Sequence, residues 1–168
     1  MKVYDVNVVA DYAILRLNTD EEMSVINLKL QKLVYYIQAW SLGIHDRRLI
    51  DCDFEAWAHG PVCRVLYDRF KGSKNLYSFI TREDVMYKDP MYLIDNGDLE
   101  FIDYILDNYG GFTGSRLESM THREAPWIEA RGNAKPMESC HNVISEDSMR
   151  KYYGERWKNL KEKSRKNQ

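Results

Sequence analysis

The chain has 168 residues, of which 44% are hydrophobic and 30% are charged, and its formal net charge is −2. This length favours one folded domain, the apolar content excludes a disordered chain, and no apolar run reaches the ~20 residues of a membrane span. The acidic balance disfavours a general nucleic-acid binder, and three cysteines without regular spacing predict a reduced, cytoplasmic protein.

The first two predicted helices have the strongest periodic signal. Asp5 is the expected cap of a first helix with one apolar stripe. Ser24 is the expected cap of a second helix, and Gly43 is its expected left-handed C-cap. Apolar residues surround most of this second helix, so we expect it to be central. Tyr35 and Tyr36 point about 100° apart on it, so at least one of them is expected near the surface.

The middle of the chain is predicted to turn sharply. We interpret residues 52–71 as a short helix, a corner at Gly60-Pro61 and another helix. A short β-hairpin is expected within residues 76–95. Its two strands are residues 77–80 and 91–94.

Further helices are predicted in the second half of the chain. One covers residues 98–109, and another starts at Thr113. Residues 121–124 have the form of a capping box, with a helix starting at Pro126 as the alternative. Ser145 is the expected cap of the last helix. The elements predict a mostly α, compact single-domain bundle of about six to eight helices.

The C-terminal end is basic. Residues 155–168 contain six basic and two acidic residues. We therefore predict a helical domain at residues 1–153 and a basic tail at residues 154–168. The tail is either a solvated terminus or an arm for an acidic partner or a nucleic acid.

No motif in the sequence indicates catalysis or metal binding. Cys52, His59 and Cys63 lie close in sequence, but the paired ligand spacing of structural zinc sites is missing. His122 and Glu124 match only the first half of the zinc-deaminase signature. Phosphate-binding glycine loops and hydrolase nucleophile motifs are absent. The sequence therefore predicts no catalytic residues, no metal and no cofactor.

Three segments together carry a family resemblance. They are LKLQKLVYYIQAW at residues 28–40, EAWAHGPV at residues 55–62 followed by Leu66-Tyr67, and THREAPW at residues 121–127. In this order and spacing they resemble the Panacea domain, the SocA-like antitoxin family, also described as phage-associated GepA-like proteins. His59 departs from the family pattern, which usually has an aromatic residue, commonly tyrosine, before Gly-Pro-Val.

The resemblance implies a non-enzymatic helical domain, often encoded in prophages, that neutralises a protein toxin by binding it directly. The family also implies an alternative, an adaptor that delivers its toxin to a ClpXP-type protease. A DNA-binding regulator is a third possibility, which the corner at Gly60-Pro61 and the basic tail motivate. No membrane partner is expected, and the sequence fixes neither the toxin nor the oligomeric state.

Ten residues of the three segments are candidates for contact with a partner. They are Lys29, Gln31, Lys32, Tyr35, Tyr36, Trp57, His59, His122, Glu124 and Trp127. The first three share the polar side of the second helix. This polar side is either an interface or pocket, or a solvated face.

Four of the other candidates have two interpretations each. Trp57 and Trp127 are packing residues or partner contacts. His122 and Glu124 hold the turn at Thr121 together by hydrogen bonds, or they contact the toxin.

Overall fold

The fold is described by a computed structural model that covers residues 2–19 and 24–166. Within these residues it has seven α-helices, four short strands and two 3-10 helices. The helices are α1 (Val6–Leu17), α2 (Asn27–His45), α3 (Arg64–Phe70), α4 (Asn96–Tyr109), α5 (Gly114–Thr121), α6 (Ala125–Arg131) and α7 (Glu146–Lys166). The strands are β1 (Val25–Ile26), β2 (Phe54–Trp57), β3 (Gly60–Cys63) and β4 (Phe79–Ile80). The predicted mostly α fold is confirmed.

Helix α2 is the centre of the fold, as its apolar circumference predicts. It packs against α1, α4, α5 and α7 and against strand β3. Tyr35 and Tyr36 are both fully buried, so the expectation that one of them reaches the surface is wrong. Adjacent helical positions can both lie inside because neighbours enclose α2 on several sides.

Both ends of α2 differ from the prediction. Ser24 is not the cap, because β1 leads directly into the helix and Ile26 occupies the N-cap position. At the other end the helix continues past Gly43 to His45. Asp46, rather than glycine, adopts the left-handed conformation after it.

Gly43 has a packing role instead. A Cβ atom at this position would lie 2.6 Å from Cβ of Tyr153 and 2.8 Å from the backbone nitrogen of Gly154 in α7. Non-bonded carbon atoms normally stay about 3.5–4.0 Å apart. The absence of a side chain therefore allows the backbones of α2 and α7 to come into direct contact.

We expect the substitution Gly43→Ala to force α2 and α7 apart and to lower the free energy of unfolding by about 1–3 kcal/mol. Gly97→Ala is the matched control, because a Cβ atom at Gly97 in α4 meets nothing within 4 Å. Alanine also favours the helix at that position. Urea unfolding measures both variants, and equal stabilities would contradict the close approach.

The helix–corner–helix predicted around Gly60 is wrong in its first half. Strands β2 and β3 form an antiparallel hairpin in which Trp57 pairs with Gly60, and Ala58-His59 is the connection. Burial alternates along β2, which is the two-residue period of a strand. Gly60 has a φ of +93°, a conformation that glycine adopts readily. The second half of the prediction is right, because α3 follows directly.

The hairpin predicted within residues 76–95 is also wrong. Strand β4 pairs with β1, far away in sequence, and Pro90–Leu93 is a 3-10 helix. Proline has a fixed φ and no N–H group, so it favours the first turn of a helix over a strand ladder. The β1–β4 pair anchors this region beside the start of α2.

Helices α4 to α7 follow the predicted order. Residues 121–124 form no capping box, because the first of them ends α5. Helix α6 begins at Ala125 with Pro126 in its first turn, which is close to the predicted alternative. The side-chain oxygen of Ser145 accepts the N–H of Ser148 at 3.3 Å, as expected for the cap of α7.

Helix α7 includes most of the sequence predicted to be a tail. It continues to Lys166, and its residues 158–166 are exposed. Other parts of the helix pack against α2 and α6. None of the described helices is both long enough and apolar enough to cross a membrane.

Candidate functional site

The three segments singled out in the sequence lie on α2, on the β2–β3 hairpin and at the α5–α6 junction, and these elements contact one another. Gln31 of α2 holds the hairpin. The N–H of Cys63 donates to Gln31 Oε1 at 2.9 Å, and Gln31 Nε2 donates to the Cys63 carbonyl at 3.3 Å. The side-chain amide thus pairs with β3 as a neighbouring strand would.

The two lysines among the candidate residues of α2 are buried. Lys32 is fully buried, and its Nζ donates to the carbonyl of Pro61 at 3.0 Å. Nζ of Lys29 donates to the carbonyl of Ser24 at 3.3 Å. Burial lowers the pKa of Lys29, and it lowers the pKa of Lys32 to about 7. The polar side of α2 is therefore not a solvated face. Lys32 holds the hairpin against α2 through its hydrogen bond to Pro61.

Glu124 is the centre of a buried hydrogen-bond network that joins α2, α6 and α7. The hydroxyl groups of Tyr36 and Tyr153 donate to its carboxylate, the former at 3.1 Å. A guanidinium nitrogen of Arg156 lies 3.3 Å from Glu124 Oε1. Burial raises the pKa of Glu124 and of both tyrosines. Glu124 therefore links three elements of the core.

His122 and Trp127 pack together close to the hairpin. Their rings stack with centroids 4.1 Å apart, and Trp127 Nε1 donates to the Trp57 carbonyl at 3.0 Å. Burial lowers the pKa of His122. Trp127 is thus a packing residue. The turn at Thr121 is closed by the backbone N–H of Glu124, which donates to the carbonyl of Thr121 at 3.1 Å. The Thr121 hydroxyl donates to the carbonyl of Glu118 within α5 at 2.8 Å, and the Glu124 carboxylate is directed to the tyrosines of the core instead.

Two candidate residues remain accessible at the tip of the hairpin. The Trp57 ring packs edge-on against Tyr67 with 4.7 Å between centroids, and its Nε1 donates to Glu55 at 2.6 Å. His59 Nδ1 lies 2.8 Å from Glu118 Oε1. Of the ten predicted contact residues seven are buried. The three partly exposed ones are Trp57, His59 and His122.

A cleft of about 580 Å³ opens beside the hairpin tip. It is lined by the start of α2, the hairpin, α3 with the loop after it, and residues 137–141. Tyr67 belongs to the second of the three segments but is not among the predicted contact residues, and Met137 and His141 are missed because no motif or periodicity marks them as lining residues. In the part of the chain that the structure describes, no group of three metal-ligating side chains is arranged to hold an ion.

Comparison with known proteins agrees with the resemblance seen in the sequence. Residues 30–128 match the SocA-like antitoxin family, the Panacea domain. The chain belongs to this family. Antitoxin SocA of Caulobacter vibrioides (strain NA1000 / CB15N) is 30% identical to it over 114 residues, which are 63% of this chain and 60% of that relative. No solved structure matches the chain.

The matched Panacea domain includes the hairpin and much of the cleft. All of the predicted contact residues except Lys29 lie within it. Helix α7 lies outside the matched residues, yet it provides Tyr153 and Arg156 to the Glu124 network. The core of this Panacea domain therefore depends on a helix that the family match does not include.

Proposed function

We propose that this chain is an antitoxin that neutralises a protein toxin by binding it directly, and that it catalyses no reaction. Membership of the SocA-like family supports the proposal, as does the name of the relative from C. vibrioides. The chain spans about 60% of that relative's length, so the argument for a partner has to come from this chain's own surface.

The observation that carries the proposal is a partly apolar surface at the hairpin tip. We define the hairpin-tip surface as Trp57, His59, Ile128 and Met137. Met137 lines the cleft together with Trp57 and His59, and it borders a second concave region together with Ile128. Ile128 is 48% exposed and Met137 is 72% exposed. Aromatic residues and methionine are enriched where proteins contact each other.

This surface is held in place before any partner arrives. Gln31 and Lys32 fix the hairpin from the side of α2, and Trp127 bonds to the backbone of Trp57. A contact surface that is already ordered loses less conformational freedom on binding. The buried residues of the three segments thus act on a partner indirectly, by positioning the exposed ones.

The ionisable groups of the segments support binding rather than catalysis. Lys32 donates to a backbone carbonyl within the core, and Glu124 is surrounded by Tyr36, Tyr153 and Arg156. A general acid or base has to come within hydrogen-bond distance of its substrate, and Glu124 is enclosed by its three partners.

The proposed setting of the complex is the cytoplasm, because all three cysteines of the chain are unpaired and buried. A prophage origin belongs to the same proposal and rests on the family resemblance alone. A β-hairpin replaces the first helix and the corner of the helix–corner–helix that motivated a DNA-binding regulator, so we do not propose that alternative.

We expect Met137→Glu to abolish the protection of cells that co-express the toxin encoded by the adjacent gene. A carboxylate buried without a partner at the contact costs at least ~1.4 kcal/mol, which weakens toxin binding about tenfold or more. Tyr92→Glu is the matched control, because Tyr92 is 85% exposed in the 3-10 helix that packs against α1. Growth and co-purification of the two proteins are the measurements.

Three outcomes would refute the proposal. The adjacent gene product could be harmless by itself, it could stay lethal and unbound in the presence of the wild-type chain, or both variants could protect equally well. Toxin half-life separates direct neutralisation from delivery to a ClpXP-type protease. We expect an unchanged half-life, and a shortened one would favour the adaptor.

A further inference from the structure

The cleft beside the hairpin tip is lined by a buried lysine, Lys32. The proposed toxin contact at the hairpin-tip surface does not explain why a lysine lies there. Lys32 lines this cleft, and its Nζ donates to the uncharged carbonyl of Pro61. Glu118 favours the charged form of Lys32, but burial outweighs it and lowers the pKa of Lys32 to about 7. A buried ammonium group needs an anionic partner to be stable in its charged form.

The described side chains that line the cleft carry positive charge that no carboxylate of the lining balances. No Asp or Glu among the described residues lines the cleft. Lys71 is exposed at the cleft and forms no ion pair with any described residue. The two histidines of the lining already contact carboxylates behind them. These pairs are His59 with Glu118 and His141 with Glu55, and the third lysine of the lining, Lys74, pairs with Asp84.

The rest of the lining offers a stacking surface and an unused acceptor. Trp57 and Tyr67 both line the cleft. Asn27 is only 6% exposed, and its Oδ1 accepts no hydrogen bond from any described residue. Its Nδ2 donates to the carbonyl of Asn75 at 3.4 Å. A buried acceptor is stable only when a donor reaches it.

We propose that this cleft binds a small anion joined to a flat aromatic ring with N–H donors, the chemistry of a nucleoside monophosphate. Lys32 and Lys71 would balance the anionic group, Trp57 and Tyr67 would contact the ring, and Asn27 would accept a ring N–H. The volume of about 580 Å³ lies in the range of small-molecule sites, ~300–1,000 Å³. This inference does not depend on the proposed antitoxin function.

The test is isothermal titration of the purified full-length chain with AMP, GMP, CMP and UMP. The corresponding nucleosides, which lack the anion, and inorganic phosphate, which lacks the ring, are titrated in parallel. We expect at least one nucleotide to bind at least about tenfold more tightly than its nucleoside and than phosphate, and to raise the Tm of the chain. The proposal is overturned if no nucleotide binds with a Kd below ~1 mM, or if phosphate binds equally well.

Substitutions of the residues that line the cleft test whether the nucleotide binds there. We expect Lys71→Met to weaken nucleotide binding about tenfold and to leave nucleoside binding unchanged. Lys88→Met is the control, since Lys88 is exposed and does not line the cleft. Lys32→Met should cause a larger loss, and circular dichroism first establishes that this variant folds. If it does not fold, Lys71→Met and Asn27→Leu decide, and wild-type affinity in both of them refutes the site.

Discussion

Replacing Glu124 with alanine is expected to lower the free energy of unfolding by about 3–5 kcal/mol. The substitution leaves the hydroxyl groups of Tyr36 and Tyr153 without their common acceptor in the core. Each buried polar group that loses its partner costs about 1–3 kcal/mol. Urea unfolding followed by circular dichroism measures the loss. Glu100→Ala is the control, because Glu100 is exposed on α4, and we expect its effect to stay within ~0.5 kcal/mol.

The variant Glu124→Gln tests the protonation state of the same site. Burial raises the pKa of Glu124 in the folded chain, so folding favours the protonated form. The stability that this proton contributes is complete below the unfolded-state pKa, about 4.3, and is lost as the pH rises through the folded-state pKa. Glutamine does not titrate. We therefore expect the stability of the wild type relative to Glu124→Gln to fall between pH 4 and neutrality, and an increase would show that Arg156 dominates instead.

Gly60→Ala is expected to lower the free energy of unfolding by about 2–5 kcal/mol, because two effects add. The φ of +93° strains any residue with a Cβ atom, and that atom would lie 2.6 Å from Cε of Lys32 and 2.8 Å from Oγ1 of Thr121. The hairpin would have to lift off α2. We also expect toxin neutralisation to weaken, because the hairpin-tip surface would move.

The matched control for this variant is Gly72→Ala. Gly72 has nearly the same backbone angle, φ +89°, but a Cβ atom there meets nothing within 4 Å. The Gly72→Ala variant should therefore lose only the free energy of unfolding that backbone strain accounts for, about 1–2 kcal/mol. Thermal and urea unfolding of both variants provide the comparison, and an equal loss in the two would mean that the hairpin does not press against Lys32.

Local signals predict much of the helical part of the fold. Asp5 caps α1 by accepting the N–H of Asn7 at 2.8 Å, as its side chain and position indicate. The apolar circumference of α2 predicts its central place. The β2–β3 hairpin is missed because its strands have only four residues each. A run of that length is too short for its periodicity to exclude a helix.

The site is harder to predict than the helices, because its geometry comes from contacts across the sequence. The Tyr36 hydroxyl meets Glu124, which is 88 positions away, and no local pattern marks such a pair. In the sequence, the charge of Lys32 places it on the polar side of the second helix, where exposure to solvent is one of the two expectations. Its burial arises only when the hairpin, held by Gln31, covers it. Sequence analysis therefore names the right segments and misjudges which of their side chains can be reached.

The direct contact between α2 and α7 has a kinetic consequence. Arg48, shortly after α2, bonds to Glu146 at the start of α7, and 98 positions separate them. Closing such a long segment costs chain entropy before the contact stabilises anything, so folding should be slower than for a bundle of consecutive helices. Until α7 docks, one side of α2 stays hydrated. We expect Tyr35 and Tyr36, which pack against Tyr153 of α7 in the folded chain, to be more exposed in this state, and such exposed apolar surface favours aggregation.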